Sequence, residues 1–146
     1  PLLISSWFLN TGFLFKPTIK VMTCGDSDSI SRITLEDEKE ILESYPWIFD
    51  SKTGQIYAYD QNENTLKPVK REIIDNYEYI YLENYIKGST LYIESVDRDL
   101  ETNQSFIVKT ILDFEALKLT TIYEGEEPYN DVCKEIGLPK DVKILK

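Results

Sequence analysis

Between residues 46 and 123 the chain is a run of short alternating apolar segments cut by tight polar turns, and this pattern constrains its fold more than any other feature. Residues 46–49 lead into Asp50-Ser51-Lys52-Thr53-Gly54, and residues 55–59 lead out. A glycine ending a polar turn between two apolar runs predicts a hairpin with a left-handed residue at Gly54. The next turn is Asp60 to Asn64, followed by 65–69, where Pro68 predicts an edge strand. Residues 77–86 form a long strand candidate, which Lys87-Gly88 turns into 89–96. After a polar loop at 98–104, Phe106, Val108, Thr110, Leu112 and Phe114 alternate, and 117–123 follow a short Glu115-Ala116 connection. Parallel pairs need crossovers of about a dozen residues or more, so strands joined this closely form an antiparallel meander.

The flanks read differently. Residues 18–24 alternate as a strand, with Ile19, Val21 and Thr23 opposite Lys20, Met22 and Cys24. Asp26 to Ser29 reads as a polar loop. Thr34 then caps a helix, Asp37 completes a capping box, and Leu35, Ile41, Leu42 and Tyr45 supply its apolar stripe until Pro46 stops it. Near the C-terminus Pro128 suits a first helical turn, Tyr129, Val132, Cys133 and Ile136 share a helical face, and Gly137 with Pro139 closes it. The expected fold class is therefore mainly β: an antiparallel meander curved into a barrel or half-barrel, with one short helix before it and one after. Residues 18–146 are expected to form a single β-rich domain, since 146 residues hold one real core and not comfortably two.

Charge and composition exclude several functions. With 26 acidic and 16 basic residues the formal charge is −10, which opposes binding to nucleic acid, where Lys and Arg must displace counterions from phosphates. The chain has no histidine. That removes Ser-His-Asp and Cys-His nucleophilic sites, His-ligated metals and an imidazole proton shuttle. Paired carboxylates for glycoside hydrolysis carry no weight here, because so many acidic residues guarantee pairs by chance. No cofactor is implied.

Residues 1–17 begin PLLISSWFLNTGFLF, with no charge before Lys16. The run is shorter than the roughly 20 apolar residues that span a bilayer. It suits the tail of an export signal ending near Ser6, or the remnant of a membrane anchor that would give N-terminal membrane association. The alternative is a first element packed on the core through Trp7, Phe8 and Phe13. The Met22-Thr23-Cys24-Gly25 stretch is no lipoprotein site, since Lys16, Pro17 and Lys20 interrupt the apolar run before it.

Cys24 and Cys133 are the two cysteines, one near each end of the folded part. In an oxidising compartment such a pair predicts a disulfide between the first strand and the last helix. The acidic loops at Asp26-x-Asp28, Asp60-x-Asn62-x-Asn64 and Asp97-x-Asp99-x-Glu101 lack the glycine and bidentate glutamate of a calcium loop and are expected to be solvated turns, so no metal site is expected. Tyr77, Tyr79 and Tyr81 recur at period two and should project from one face of a strand paired with 91–96. Tyr57 and Tyr59 would extend that surface from another strand. Open to solvent, such a row binds sugar rings, a flat ligand or a partner protein; buried, it covers one side of the core.

The chain resembles a loose group of small exported bacterial β-meander proteins of unknown function. The likeness lies in the hairpin at Thr53-Gly54, the turn Lys87-Gly88-Ser89-Thr90-Leu91, and the closing Ile122-Tyr123-Glu124-Gly125 with Cys133-Lys134-Glu135-Ile136. It departs where Ile48-Phe49-Asp50 replaces an Ile-Asn-Arg stretch. The resemblance implies export and a meander, and brings no activity. The meander is also similar in architecture to lipocalins, but their Gly-x-Trp motif is missing. The expectation is a non-catalytic binding or interaction module working outside the cytoplasm, with a lipocalin-like small-molecule carrier second and a carboxylate-based hydrolase third.

Overall fold

Alternation and short turns produce the expected architecture, seen in a computed structural model that describes residues 18–145 apart from Leu35 and Asp37. The expected leader or anchor at 1–17 lies outside the described residues. So does Asp37, the expected partner of the Thr34 cap. The strands are β1 (Ile19–Gly25), β2 (Trp47–Asp50), β3 (Tyr57–Asp60), β4 (Thr65–Pro68), β5 (Arg71–Ile74), β6 (Tyr77–Lys87), β7 (Thr90–Asp99), β8 (Ser105–Asp113), β9 (Lys118–Tyr123), β10 (Tyr129–Ile136) and β11 (Lys143–Ile144). Two short helices, α1 (Ser27–Ser31) and α2 (Glu38–Leu42), lie between β1 and β2. None of the described helices is long and apolar enough to cross a membrane.

Eight strands form one antiparallel sheet in the order β2-β1-β10-β9-β8-β7-β6-β5, curved into a half-barrel. The meander from β5 to β10 is sequential, and β1 joins it by pairing with β10. A smaller sheet, β11-β4-β3, packs beside it. Two apolar clusters result. One fills the concave inner face with Met22, Phe49, Ile56, Leu91, Ile93 and Leu112. The other lies behind β1 and β2, where Val21, Ile48 and Ile136 meet Ile41 and Leu42 of α2 and Leu66 of β4. Adjacent residues of β1 and β2 are therefore buried on opposite faces.

The helix expected after the meander is instead strand β10. Its first half pairs with β9 and its second with β1, from Gly25↔Val132 to Val21↔Ile136. Cys133 enters the inner cluster and Ile136 the outer one. A strand buried on both faces loses its period-two signature, so its apolar spacing imitated a helix. The disulfide between Cys24 and Cys133 is formed, but it joins two neighbouring strands at directly paired positions, Cα to Cα 4.1 Å.

Four smaller differences have local causes. The expected loop at 26–29 holds α1, because the Asp26 carboxylate accepts the Ser29 backbone N–H at 2.9 Å and caps it. Tyr45 does not join an apolar stripe: the helix ends at Leu42, and Tyr45 stands exposed at φ 58°. Strand β4 is central in its sheet rather than an edge, yet Pro68 is tolerated, since β11 pairs only with Thr65 and Leu66. Strand β5, assigned no structure from sequence, is pinned to β6 and β7 by Glu78, whose buried carboxylate faces Arg71 and, at 3.0 Å, Arg98.

Of the acidic loops, Asp26 caps α1 and Asp97 lies half-buried on β7 rather than in a solvated turn, whereas Asp60 and Asp99 open hairpin turns of a design shared with Asp50 and Asp113. Asp50, Asp60, Asp99 and Asp113 each accept two backbone N–H groups, from the residues two and three positions on. Four positions after each aspartate the chain goes left-handed, at Gly54, Asn64, Asn103 and Leu117. These carboxylates are occupied with closing hairpins.

Curvature brings the far sides of the large sheet together. A bulge between Tyr81 and Glu83 turns Asn84 onto the inner face. Its side chain donates to the Gly54 carbonyl at 2.9 Å, and Gly54 rests on the backbone of Tyr85. The turn after β2 thus bridges to β6.

Candidate functional site

The register carries a set of aromatic rings to one end of the concave face. Across β6, β7 and β8, Tyr79 pairs with Asp97 and Asp97 with Phe106. In the next row Tyr81 pairs with Ser95, Ser95 with Val108 and Val108 with Tyr123. In the third, Thr110 pairs with Thr121 and Thr121 with Tyr129. Directly paired residues share a face, so these side chains converge.

Tyr77, Tyr79 and Tyr81 lie on one face of β6, as their period requires, and the strand pairs with β7 over a longer stretch than 91–96. They are neither uniformly open nor uniformly buried. Tyr77 is 40% exposed, Tyr79 is half-buried, and Tyr81 packs against the inner cluster. The Tyr81 hydroxyl donates to Glu72 Oε2 at 2.6 Å. Burial, then the Glu72 charge beside it, drives the Tyr81 phenol far above its ordinary value, so it stays a donor.

Two clefts flank Tyr79. The first, about 700 Å³, lies between the small sheet and β5–β6, and Tyr57, Tyr59, Glu72, Ile74, Tyr79 and Tyr81 all line it. Tyr57 and Tyr59 thus line the same cleft as Tyr79 and Tyr81; they also pack on the outer cluster, and the Tyr59 hydroxyl donates to Asn64 Oδ1 at 2.6 Å. The second cleft, about 660 Å³, gathers Tyr77, Tyr79, Phe106, Tyr123 and Tyr129 around Asp97. Tyr123 and Tyr129 meet edge to face with centroids 5.9 Å apart, and Tyr77 and Tyr79 lie tilted at 6.3 Å. Burial raises the Asp97 carboxyl above the usual aspartate value, partly offset by a hydrogen bond from the Ser95 hydroxyl. Burial and then the nearby Asp97 charge push up the phenols of Tyr79 and Tyr123.

Phe106, Tyr123 and Tyr129 were not singled out from sequence. The sequence places Phe106 and Tyr123 on strands without fixing their cross-strand register, and its spacing places Tyr129 on a helix. Counting outward from the Glu115-Ala116 turn puts Phe106, Val108 and Tyr123 on one face, but counting from Lys87-Gly88 puts Tyr79 on the other, because the bulge between Tyr81 and Glu83 shifts the register. Among the described residues no cluster of three or more carboxylates or thiols could hold a metal ion. No protein-family model, curated protein or solved structure matches the chain.

Glu72 gives a test of this electrostatic picture. Its carboxyl is raised by burial, partly offset by the Tyr81 hydrogen bond. A raised carboxyl binds more protons folded than unfolded, so its contribution to stability falls as pH rises from the ordinary glutamate range through the native value. Glu72→Gln keeps an acceptor for Tyr81 and should remove that decline. Urea midpoints across this window should fall less steeply with pH in the variant; parallel profiles would show that Glu72 is not desolvated.

Proposed function

We propose that the protein is a non-catalytic binding module that works outside the cytoplasm and takes its ligand on the aromatic concave face of the half-barrel. The carrying observation is the convergence of five rings from β6, β8, β9 and β10 on one cleft, with Tyr77, Phe106 and Tyr129 still open to solvent at 40%, 43% and 57%. Exposed rings in one contiguous patch are uncommon on a protein that binds nothing. The disulfide fits an oxidising compartment, and with the resemblance to exported meander proteins it supports the location. A lipocalin-like carrier would enclose its ligand, whereas these exposed rings leave the cleft open at its rim. Glu72 and Asp97, the carboxyls raised by burial, line different clefts and so do not form the facing pair that carboxylate hydrolysis uses.

A melting-shift panel of monosaccharides, oligosaccharides, alkylamines and aromatic amino acids tests the module. At least one class should raise the midpoint of the native protein, and the gain should vanish in Tyr77→Ser and Tyr129→Ser. Both exposed-ring variants should themselves stay within about 0.5 kcal/mol of the native stability. Tyr81→Ser should instead cost on the order of 3 kcal/mol, because its ring packs on the core. A panel without a hit, or a hit indifferent to both exposed-ring variants, ends this reading.

A further inference from the structure

We infer that the second cleft recognises an organic cation, an alkylammonium group held over the faces of Tyr79 and Tyr123 against the carboxylate of Asp97. The assignment rests on the concave face being a binding surface, as proposed above, and specifies its ligand. Three observations on the cleft agree. Its walls are aromatic, and the negative face of a tyrosine or phenylalanine ring attracts a cation that has shed part of its water. Its charged lining is of one sign: Asp97, Glu124, Glu126 and Asp131, with no Lys or Arg among the described lining residues. Third, Asp97 sits half-buried at the centre of the rings, on the same row as Tyr79 and Phe106, and accepts a hydrogen bond only from Ser95 among the described residues.

A desolvated carboxylate without a counter-charge is costly, and at Glu78 the molecule resolves this by pairing. Glu78, on the neighbouring strand β6 and on the opposite face of the sheet, meets two arginines. Asp97 has no such partner among the described residues, and burial raises its carboxyl accordingly. An alkylammonium would supply the missing charge, and its methyl groups would cover the rings that remain exposed. An anion would meet four carboxylates, and a neutral sugar would leave Asp97 uncompensated. The net charge of −10 adds a long-range attraction of the same sign.

The probe is choline chloride, titrated into the intact disulfide-bonded protein and followed by amide and aromatic NMR shifts. The comparison compound is 3,3-dimethylbutan-1-ol, which has the same shape without the charge. Choline should give saturable shifts centred on Tyr79, Tyr123 and Tyr129, with an affinity at least tenfold above that of the alcohol. Asp97→Asn should weaken choline about tenfold or more. Glu101→Gln, the same charge change in an exposed turn, should leave it within twofold. Tyr129→Leu keeps the apolar bulk, removes the ring face and should weaken choline severalfold, which keeps the test open if Asp97→Asn does not fold. Equal affinity for choline and the alcohol overturns the cation while leaving the binding module standing. So does a neutral hit from the panel with no response to choline. Choline binding indifferent to both Asp97→Asn and Tyr129→Leu places the ion elsewhere and overturns the site.

Discussion

Reducing the Cys24–Cys133 bond should lower the unfolding free energy by about 4–5 kcal/mol, the value the chain-entropy model gives for closing a loop of roughly 100 residues. The bond spans 109 residues and ties strands already paired in register, so opening it frees the unfolded chain far more than it disturbs the folded one. Domains of ordinary stability have only about 5–15 kcal/mol in total. A reduced or Cys24→Ser/Cys133→Ser protein should therefore be marginal. Urea unfolding with and without a phosphine reductant measures the difference. A change below about 1 kcal/mol would mean that the sheet holds its two ends without the crosslink, and would remove the main physical reason to place the protein in an oxidising compartment.

Gly54→Val should cost about 2–6 kcal/mol, combining left-handed strain at a β-branched residue with overpacking. Gly54 sits at φ 80°, and a Cβ there would lie 3.0 Å from Tyr85 Cα and 3.1 Å from its nitrogen. Both obstacles are backbone and cannot rotate away. The comparison is Gly125→Val: that glycine also has a positive φ, 81°, but nothing lies within 4 Å of its added Cβ. Strain alone should cost it about 1–3 kcal/mol. Equal losses at the two positions, in matched thermal or urea melts, would show that the contact between the Gly54 turn and β6 is not what joins the far sides of the sheet.

Much of the fold was legible because its signals are local. The Lys87-Gly88 turn, the alternation from Phe106 to Leu112 and the left-handed glycine at 54 follow from neighbouring residues alone, and each stands in the structure as read. Residues 129–136 imitate a helix because Cys133 is buried in the inner cluster and Ile136 in the outer one, three positions apart on opposite faces of one strand. Of the four aspartate turns, the sequence predicts a left-handed residue only at Gly54, although Asn64 and Asn103 stand at the same distance from Asp60 and Asp99. At Asp113 the left-handed residue is Leu117, half-buried against the inner cluster, and packing rather than propensity selects it. The site was half visible. The row on β6 announces itself by spacing, but Phe106, Tyr123 and Tyr129 join it through cross-strand register, which needs correct pairing over four successive hairpins and the bulge on β6.

The position of β1 has a consequence for the order in which the molecule can assemble. Strands β5 to β9 are linked by tight turns, so their pairing closes short loops and can form early. Strand β1 has no such neighbour: its partner β10 is more than a hundred residues away, and β2 can complete the sheet only beside β1. During synthesis or passage through a narrow channel β1 emerges before the meander; β2, α2 and β4 can cover Val21 early, but the β1 edge that takes β10 stays unpaired until almost the whole chain has followed. This last, longest closure should then limit folding, and the two thiols should meet only when it succeeds. Oxidation of Cys24 with Cys133 should accordingly lag behind the appearance of β-sheet structure, making the crosslink a lock set after folding rather than a guide to it.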